Sequence, residues 1–249
     1  MHAPAGRPVR PARRRRRLRG HAEGGGQLKV DAGEVRAVLR LLRGEQGPFE
    51  PKPSLPVLDE LVATVLSQHT SDRNSERAFA SLVGRFPTWE AVLAAPAAAV
   101  ADAIRMGGIA DQKTVRIQRI LAIVAEREGR LDLTRLHELD DGAVEAYLTS
   151  LPGVGLKTAA CVLTFSLARP AFPVDTHVHR VATRLGWVPV SAGAARAHAL
   201  LRDLVPPDVR YDLHLALIAH GRAVCRARRP ACEGCVLRLR CAFGRSRVQ

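Results

Sequence analysis

The sequence predicts an all-α protein, and three observations carry that expectation. From Ala32 onward, apolar residues recur at three- and four-residue spacing, the period of a helix with one buried face. No segment alternates apolar and polar residues for long enough to make a half-buried strand. The helical stretches are parted by short runs containing Gly or Pro, which stop one helix and let the next pack against it.

Taken in order, the period places helices over 32–43, 56–67, 74–86 before Pro87, 89–94, 97–106 before Gly107-Gly108, and 114–127 before Gly129. A pair over 142–150 and 156–167 follows, then helices over 176–185, 192–204 and 211–225. Residues 1–26 stand apart: Arg13-Arg14-Arg15-Arg16-Arg17 lies among Pro, Gly and Ala, with little apolar material to bury, so the expectation is a disordered basic arm. An organellar transit peptide or a mis-assigned start codon remain as alternatives for it.

The pair over 142–167 encloses Leu151-Pro152-Gly153-Val154-Gly155-Leu156-Lys157-Thr158, a helix-hairpin-helix. Gly153 and Gly155 bring no side chains, so a phosphate can reach the amides around Val154, and the second helix opens with unpaired N–H groups and a positive dipole end. The hairpin therefore reads as a clamp on a nucleic-acid backbone, against the plainer reading of a tight turn. A nucleotide-binding P-loop needs Gly immediately before Lys-Thr, and Leu156 stands there. Lys157, beside the place where a sugar-phosphate would rest, is a candidate nucleophile for a Schiff base with a sugar carbon. Otherwise it is a phosphate contact.

Two loops carry further candidates. Gln68-His69-Thr70-Ser71-Asp72 is a polar run after an apolar helix, with Asp72 placed to cap the next one. Ile109, in the turn Gly107-Gly108-Ile109-Ala110, is either a staple onto the following helix or a wedge for a base stack. Asp175 in Val174-Asp175-Thr176-His177 is placed as a helix N-cap. If it also works chemically, it takes a proton, orients the amine, or balances positive charge on a sugar.

Cys225, Cys232, Cys235 and Cys241, spaced C-x6-C-x2-C-x5-C, read as a metal site, and spacing leaves tetrahedral zinc and an iron–sulfur cluster both open. Arg226, Arg228 and Arg229 lie between the first two, so a pinned loop would present them to phosphates. Cys161 reads as a buried small hydrophobe. The scattered histidines form no ligand set.

The net charge is +14, of which residues 1–26, with eight arginines and one glutamate, contribute +7, so the remainder is basic in its own right and calls for a polyanionic partner. Aromatic residues are 4%, too few for a single-strand binder built on stacked rings. No apolar run is long enough to span a bilayer, and the start lacks the pattern of a secretory signal. The expectation is a monomer that is not secreted, cytoplasmic or nucleoid-associated if bacterial.

Together the hairpin LPGVGLKTA, the VDTH after it and the four-cysteine spacing resemble endonuclease III, of the helix-hairpin-helix DNA glycosylase superfamily, over about 32–241. The resemblance implies two helical domains with duplex DNA between them. A six-helix domain, about 50–169, would carry the hairpin. Residues 27–49 together with 170–249 would form the second and hold one [4Fe–4S] cluster on the four cysteines. It also implies Lys157 as catalytic lysine, Asp175 as catalytic aspartate, and removal of oxidised pyrimidines of the thymine glycol type followed by β-elimination at the abasic site. The other readings are a damage-binding protein without turnover, or a glycosylase of the same fold with another base or mismatch preference. Two positions depart from the family pattern. His69 aligns with the glutamine that fills the gap left by a flipped base, with Gln68 one place earlier, and Gly108-Ile109-Ala110-Asp111 replaces Gly-Leu-Tyr-Asn.

Overall fold

The computed structural model describes residues 30–49 and 55–247; the arginine-rich arm lies outside the described residues. Among these, all regular structure is helical: α1 (Ala32–Gln46), α2 (Val57–Ser67), α3 (Asp72–Arg85), α4 (Trp89–Ala94), α5 (Ala97–Ala103), α6 (Ala110–Glu128), α7 (Asp141–Thr149), α8 (Leu156–Phe165), α9 (Thr176–Leu185), α10 (Ala194–Leu204), α11 (Arg210–Ala223) and a single turn, α12 (Ala242–Arg245). The all-α expectation holds.

The apolar faces collect into two separate cores. One runs from Val57 in α2 to Leu167 just past α8 and is centred on Leu61, Leu66, Leu82, Ile117, Leu121 and Val162. The other joins Val35, Val38 and Leu42 of α1 to Phe172, Val178, Val181, Leu213, Leu217 and Leu237. α1 thus belongs with the C-terminal helices. Arg36 pairs with Asp208 through both guanidinium nitrogens at 2.7 and 2.9 Å, Arg43 pairs with Asp212, and Arg240 with the mostly buried Glu34 at 2.5 Å.

Three helix ends differ from the sequence expectation, each for a local reason. Ser71, not Asp72, caps α3: its side chain accepts from the Asn74 amide, leaving Asp72 in the first turn and free to pair elsewhere. The helix expected over 97–106 stops at Ala103 and tightens into a 3₁₀ turn, Arg105–Gly107. α6 starts four residues earlier than expected, at Ala110, with Ile109 ahead of it in the left-handed region at φ 42°. A β-branched residue avoids that region. Ile109 keeps 43% of its surface exposed, which rules out the staple reading.

Candidate active site

The hairpin is built from α7, the turn 150–155 and α8. Asp140 caps α7 by accepting from the Ala143 amide at 2.8 Å, and the turn closes through Val154 N–H to the Leu151 carbonyl at 3.2 Å. Gly153 sits at φ 72°, and a Cβ there would overlap the Arg116 guanidinium, so both backbone and space demand glycine. Val154 is buried and offers only its backbone to a ligand. Gly155 begins α8 with no side-chain cap, so the first amides of that ten-residue helix are left for an anion.

Gln68 and His69 part company at the end of α2. Gln68 turns to the hairpin: its amide nitrogen donates to the Gly153 carbonyl at 3.3 Å and to Thr158 Oγ1 at 3.4 Å, while Arg116 donates to its oxygen. His69 takes φ 55° and points out, exposed. A Cβ on Gly108 would lie 3.8 Å from the His69 carbonyl, so the loop ending in Ile109 abuts this one. Lys113, fully buried, ties them: its Nζ donates to the Leu66 carbonyl at 2.6 Å and the Gly107 carbonyl at 2.7 Å. The two exposed loop tips, both in left-handed backbone, are thereby fixed side by side.

Lys157, in the first turn of α8 and half-buried, lines a cleft of about 1360 Å³ with Asp175, Gln68, His69, Asp72, His177 and Arg222. Asp175 is the N-cap of α9, accepting from the Val178 amide at 2.7 Å, which locks its side chain in place beside the cleft. Arg222 of α11 and Asp72 of α3 pair across the cleft through two bonds of 2.6 and 2.9 Å. His177 accepts at Nδ1 from Arg180 at 2.9 Å, since a guanidinium has no acceptor. Its remaining hydrogen is therefore on Nε2.

Behind the cleft lie groups that sequence reasoning did not single out. His214 is buried, donates from Nδ1 to the Pro173 carbonyl at 2.9 Å, and packs on Phe165 and Phe172. Burial pushes its pKa down to about 4, the Asp175 carboxylate opposing and the Lys157 charge assisting. Burial likewise raises the Glu60 carboxyl, against a hydrogen bond from Thr64 and the charge of Lys157, and it raises the Cys161 thiol, with the Lys157 charge opposing. Glu60 had one legible signal: a carboxylate one helical turn before Thr64 on an otherwise apolar helix.

The four C-terminal cysteines are unpaired thiols lining a single pocket, walled by Val181, Leu185, Leu237 and Phe243. Among the described residues no three Cys, His, Asp or Glu side chains converge tightly enough to hold one metal ion. The thiols stand around a space instead. Their surroundings suit charged sulfur: Arg184 donates to Cys225 Sγ at 3.2 Å and the Gly244 amide to Cys241 Sγ at 3.3 Å, with His220 Nε2 at 3.6 Å from Cys235 Sγ. Cys235 and Cys241 are held up by burial, so a metal must displace their protons. Four thiols lining one pocket, with donors beside two of them, form a donor set suited to a thiolate-bound metal group. Arg226, Arg228 and Arg229 are all exposed in this loop, away from Lys157.

The structure thus sets a helix-hairpin-helix at the rim of a cleft, with a lysine at the start of its second helix and a capped aspartate lining the same cleft. The sequence profile of HhH-GPD superfamily base excision DNA repair proteins matches residues 62–207. Endonuclease III of Thermotoga maritima is 37% identical over 187 residues, covering 75% of this chain and 83% of that protein. A protein of Arabidopsis thaliana whose name places it among DNA glycosylases is 44% identical over 166 residues, 67% of this chain; the chain spans 57% of that relative's length. A solved structure of an endonuclease III–DNA covalent intermediate superposes with a TM-score of 0.76 at 26% identity, over 88% of this chain and 99% of that one. The chain belongs to the HhH-GPD superfamily of base excision DNA repair proteins and, within it, to the endonuclease III family. That membership makes it an enzyme of the DNA glycosylase class.

Proposed function

We propose that this protein excises oxidised pyrimidines of the thymine glycol type from duplex DNA and then cuts the strand at the abasic site through a lysine Schiff base. The observation that carries the reading is Lys157 and Asp175 on one cleft, at the end of a hairpin whose first amides are free for phosphate. An everted base occupies the cleft. The Lys157 amine attacks C1′, the base leaves with the electron pair of its glycosidic bond, and the Asp175 carboxylate balances the positive charge developing on the sugar. The nitrogen gives up a proton to the departing base, the C1′–O4′ bond then opens with O4′ taking up a proton from solvent, and the iminium so formed acidifies the C2′ proton, whose loss expels the 3′ phosphate. His69 and Ile109, exposed on adjoining loops, fill the space the base vacates and part the stack.

The four cysteines would hold a [4Fe–4S] cluster, which supplies thiolate bonds that pin the 225–241 loop; the excision chemistry does not pass through it. What supports a cluster over zinc is the kinship with endonuclease III together with four thiols lining one pocket. Arg226, Arg228 and Arg229 then face DNA phosphates, and the arm 1–26 adds attraction independent of sequence.

The test is borohydride trapping on duplexes carrying one abasic site or one thymine glycol. Wild type should form a covalent complex with both, and Lys157→Ala should form none while binding abasic DNA with little change. A mutant that cuts as well as wild type ends the Schiff-base reading. Wild type that traps only the abasic duplex ends the thymine glycol assignment and keeps the lyase.

A further inference from the structure

α6 and the hairpin border a shallow groove that shares no lining residue with the Lys157 cleft; Val115, Arg116 and Arg119 form one side, Pro152 and Gly153 the other. The two arginines stand one helical turn apart. Arg116 is fixed in place. Its side chain lies so close on the hairpin that a Cβ on Gly153 would fall 2.2 Å from its Nε and 2.7 Å from its Cζ, and its Nη1 donates to Gln68 Oε1 at 2.5 Å. A guanidinium has five N–H bonds, and among the described residues this is the one hydrogen bond that Arg116 makes. Arg119 is exposed, with no ion pair or hydrogen bond among the described residues. The Gly153 amide also donates to no acceptor there. Val115, 63% exposed, and Pro152 add an apolar wall that no side chain covers. The carboxylate in the groove is Asp111, in the first turn of α6, where the positive helix end balances it.

We propose that this groove is a second backbone site for the strand that carries the lesion: Arg116 and Arg119 clasp a phosphodiester beside the one gripped by the hairpin amides, and Val115 and Pro152 take the deoxyribose between them. A phosphodiester offers two anionic oxygens, and forked guanidinium donors match them in geometry and charge. The apolar wall suits the sugar face of a nucleic-acid strand, which a free inorganic anion lacks. Gly153 belongs to both sites, so the groove continues the hairpin surface without a break. The inference rests on the reading of the hairpin as a backbone clamp, and it lengthens that grip along α6, the helix that Ile109 opens.

Gln68 takes a definite part in this arrangement. Its oxygen orients Arg116, while its amide nitrogen donates to the Gly153 carbonyl and to Thr158 Oγ1, next to Lys157. An arginine held in advance loses little freedom when the phosphate arrives. Arg119, with no such tether, supplies charge and reach rather than preset geometry.

The experiment measures affinity for a duplex carrying one uncleavable abasic analogue, first against potassium chloride and then with single uncharged methylphosphonate linkages placed in turn along both strands. Arg119→Ala, at an exposed position, should weaken binding about tenfold at low salt and lower the slope of log affinity against log salt by about 0.9, the share of one phosphate. Arg130→Ala removes the same charge from an exposed arginine paired with Asp132 beyond the far end of α6, and it should leave the slope as it was. At one linkage of the lesion strand, methylphosphonate should cost wild type about tenfold and Arg119→Ala about twofold or less, because the variant has already lost that contact. Arg116→Ala should be insensitive at the same linkage; if it disturbs the hairpin, Arg119→Ala carries the test alone. A neighbouring linkage that weakens wild type and Arg119→Ala alike marks the hairpin's own phosphate. Equal sensitivity of the two proteins at every linkage, coupling on the opposite strand alone, or a slope lowered as much by Arg130→Ala overturns the proposal. Wild type with no salt-dependent affinity for the duplex overturns the hairpin reading itself, a result distinct from intact binding without coupling.

Discussion

Lys113 shows how far a single side chain can reach. Its ammonium is fully buried with no carboxylate beside it, only the Leu66 and Gly107 carbonyls, and burial pushes its pKa down, with the Arg116 charge adding to the effect. Those carbonyls lie at the end of α2 and in the 3₁₀ turn before Ile109, so one amine sets the spacing of the two exposed loop tips. Lys113→Met keeps the bulk and orphans two buried acceptors, and it should lower stability by about 2 kcal/mol or more in urea unfolding. Excision from duplex DNA should fall further than cutting of a single-stranded abasic site, where nothing need be wedged apart. At this scale legibility followed locality. Lys157 and Asp175 could be read because turn and cap chemistry is written within a few residues. Lys113 could not, because a buried charge is explained by partners such as the Leu66 carbonyl, 47 positions away, and a charge in a helical period looks like a solvated face.

Among the elements, the C-terminal segment is the least self-sufficient. Between α11 and α12 the chain runs in loops, with Leu237 as its one fully buried large apolar side chain among the described residues. Arg184 of α9 props it up, donating to the carbonyls of Cys225, Arg226 and Ala227 and lying 4.8 Å over the Phe243 ring. That is too little to order so long a loop without its thiolate bonds. The purified protein should be brown, absorb broadly at the blue edge of the visible, and carry about four irons per chain. Stripping the iron should raise hydrogen exchange through 225–247 and leave α2 to α8 protected. A colourless protein with one zinc per chain would show that the cluster assignment is wrong. The cysteine spacing made this element the plainest in the sequence, but spacing left the metal open, and the cluster was an expectation of the family resemblance.

The whole molecule is two cores with an acid-sensitive seam. Helical period located the helices without saying which of them share a core, since an apolar face does not name its partner; α1 in particular reads like the start of whatever follows it. The seam holds His214, packed on Phe165 of α8 and buried neutral. The unfolded chain takes up its proton near pH 6.5 and the folded one only near 4, so in that window the unfolded state binds more protons and stability rises with pH. For His214 alone, acidification through the window should remove up to about 1.4 kcal/mol per pH unit, read as a falling urea midpoint, and His214→Gln should make the slope shallower by that share, leaving the share of His220, which burial also holds at about 4.

Placing α1 in the second core also dictates an order of assembly. On a ribosome α1 emerges first, yet the residues that bind it, Asp208, Asp212 and Arg240, arrive some 170 to 206 positions later. In the interval α2 to α8 can complete their own core from contacts among themselves, while α1 trails from it as an amphipathic strand of chain without a mate. The last part to be synthesised thus retrieves the first, and the cleft that reads DNA comes into being only when that long loop of chain is closed.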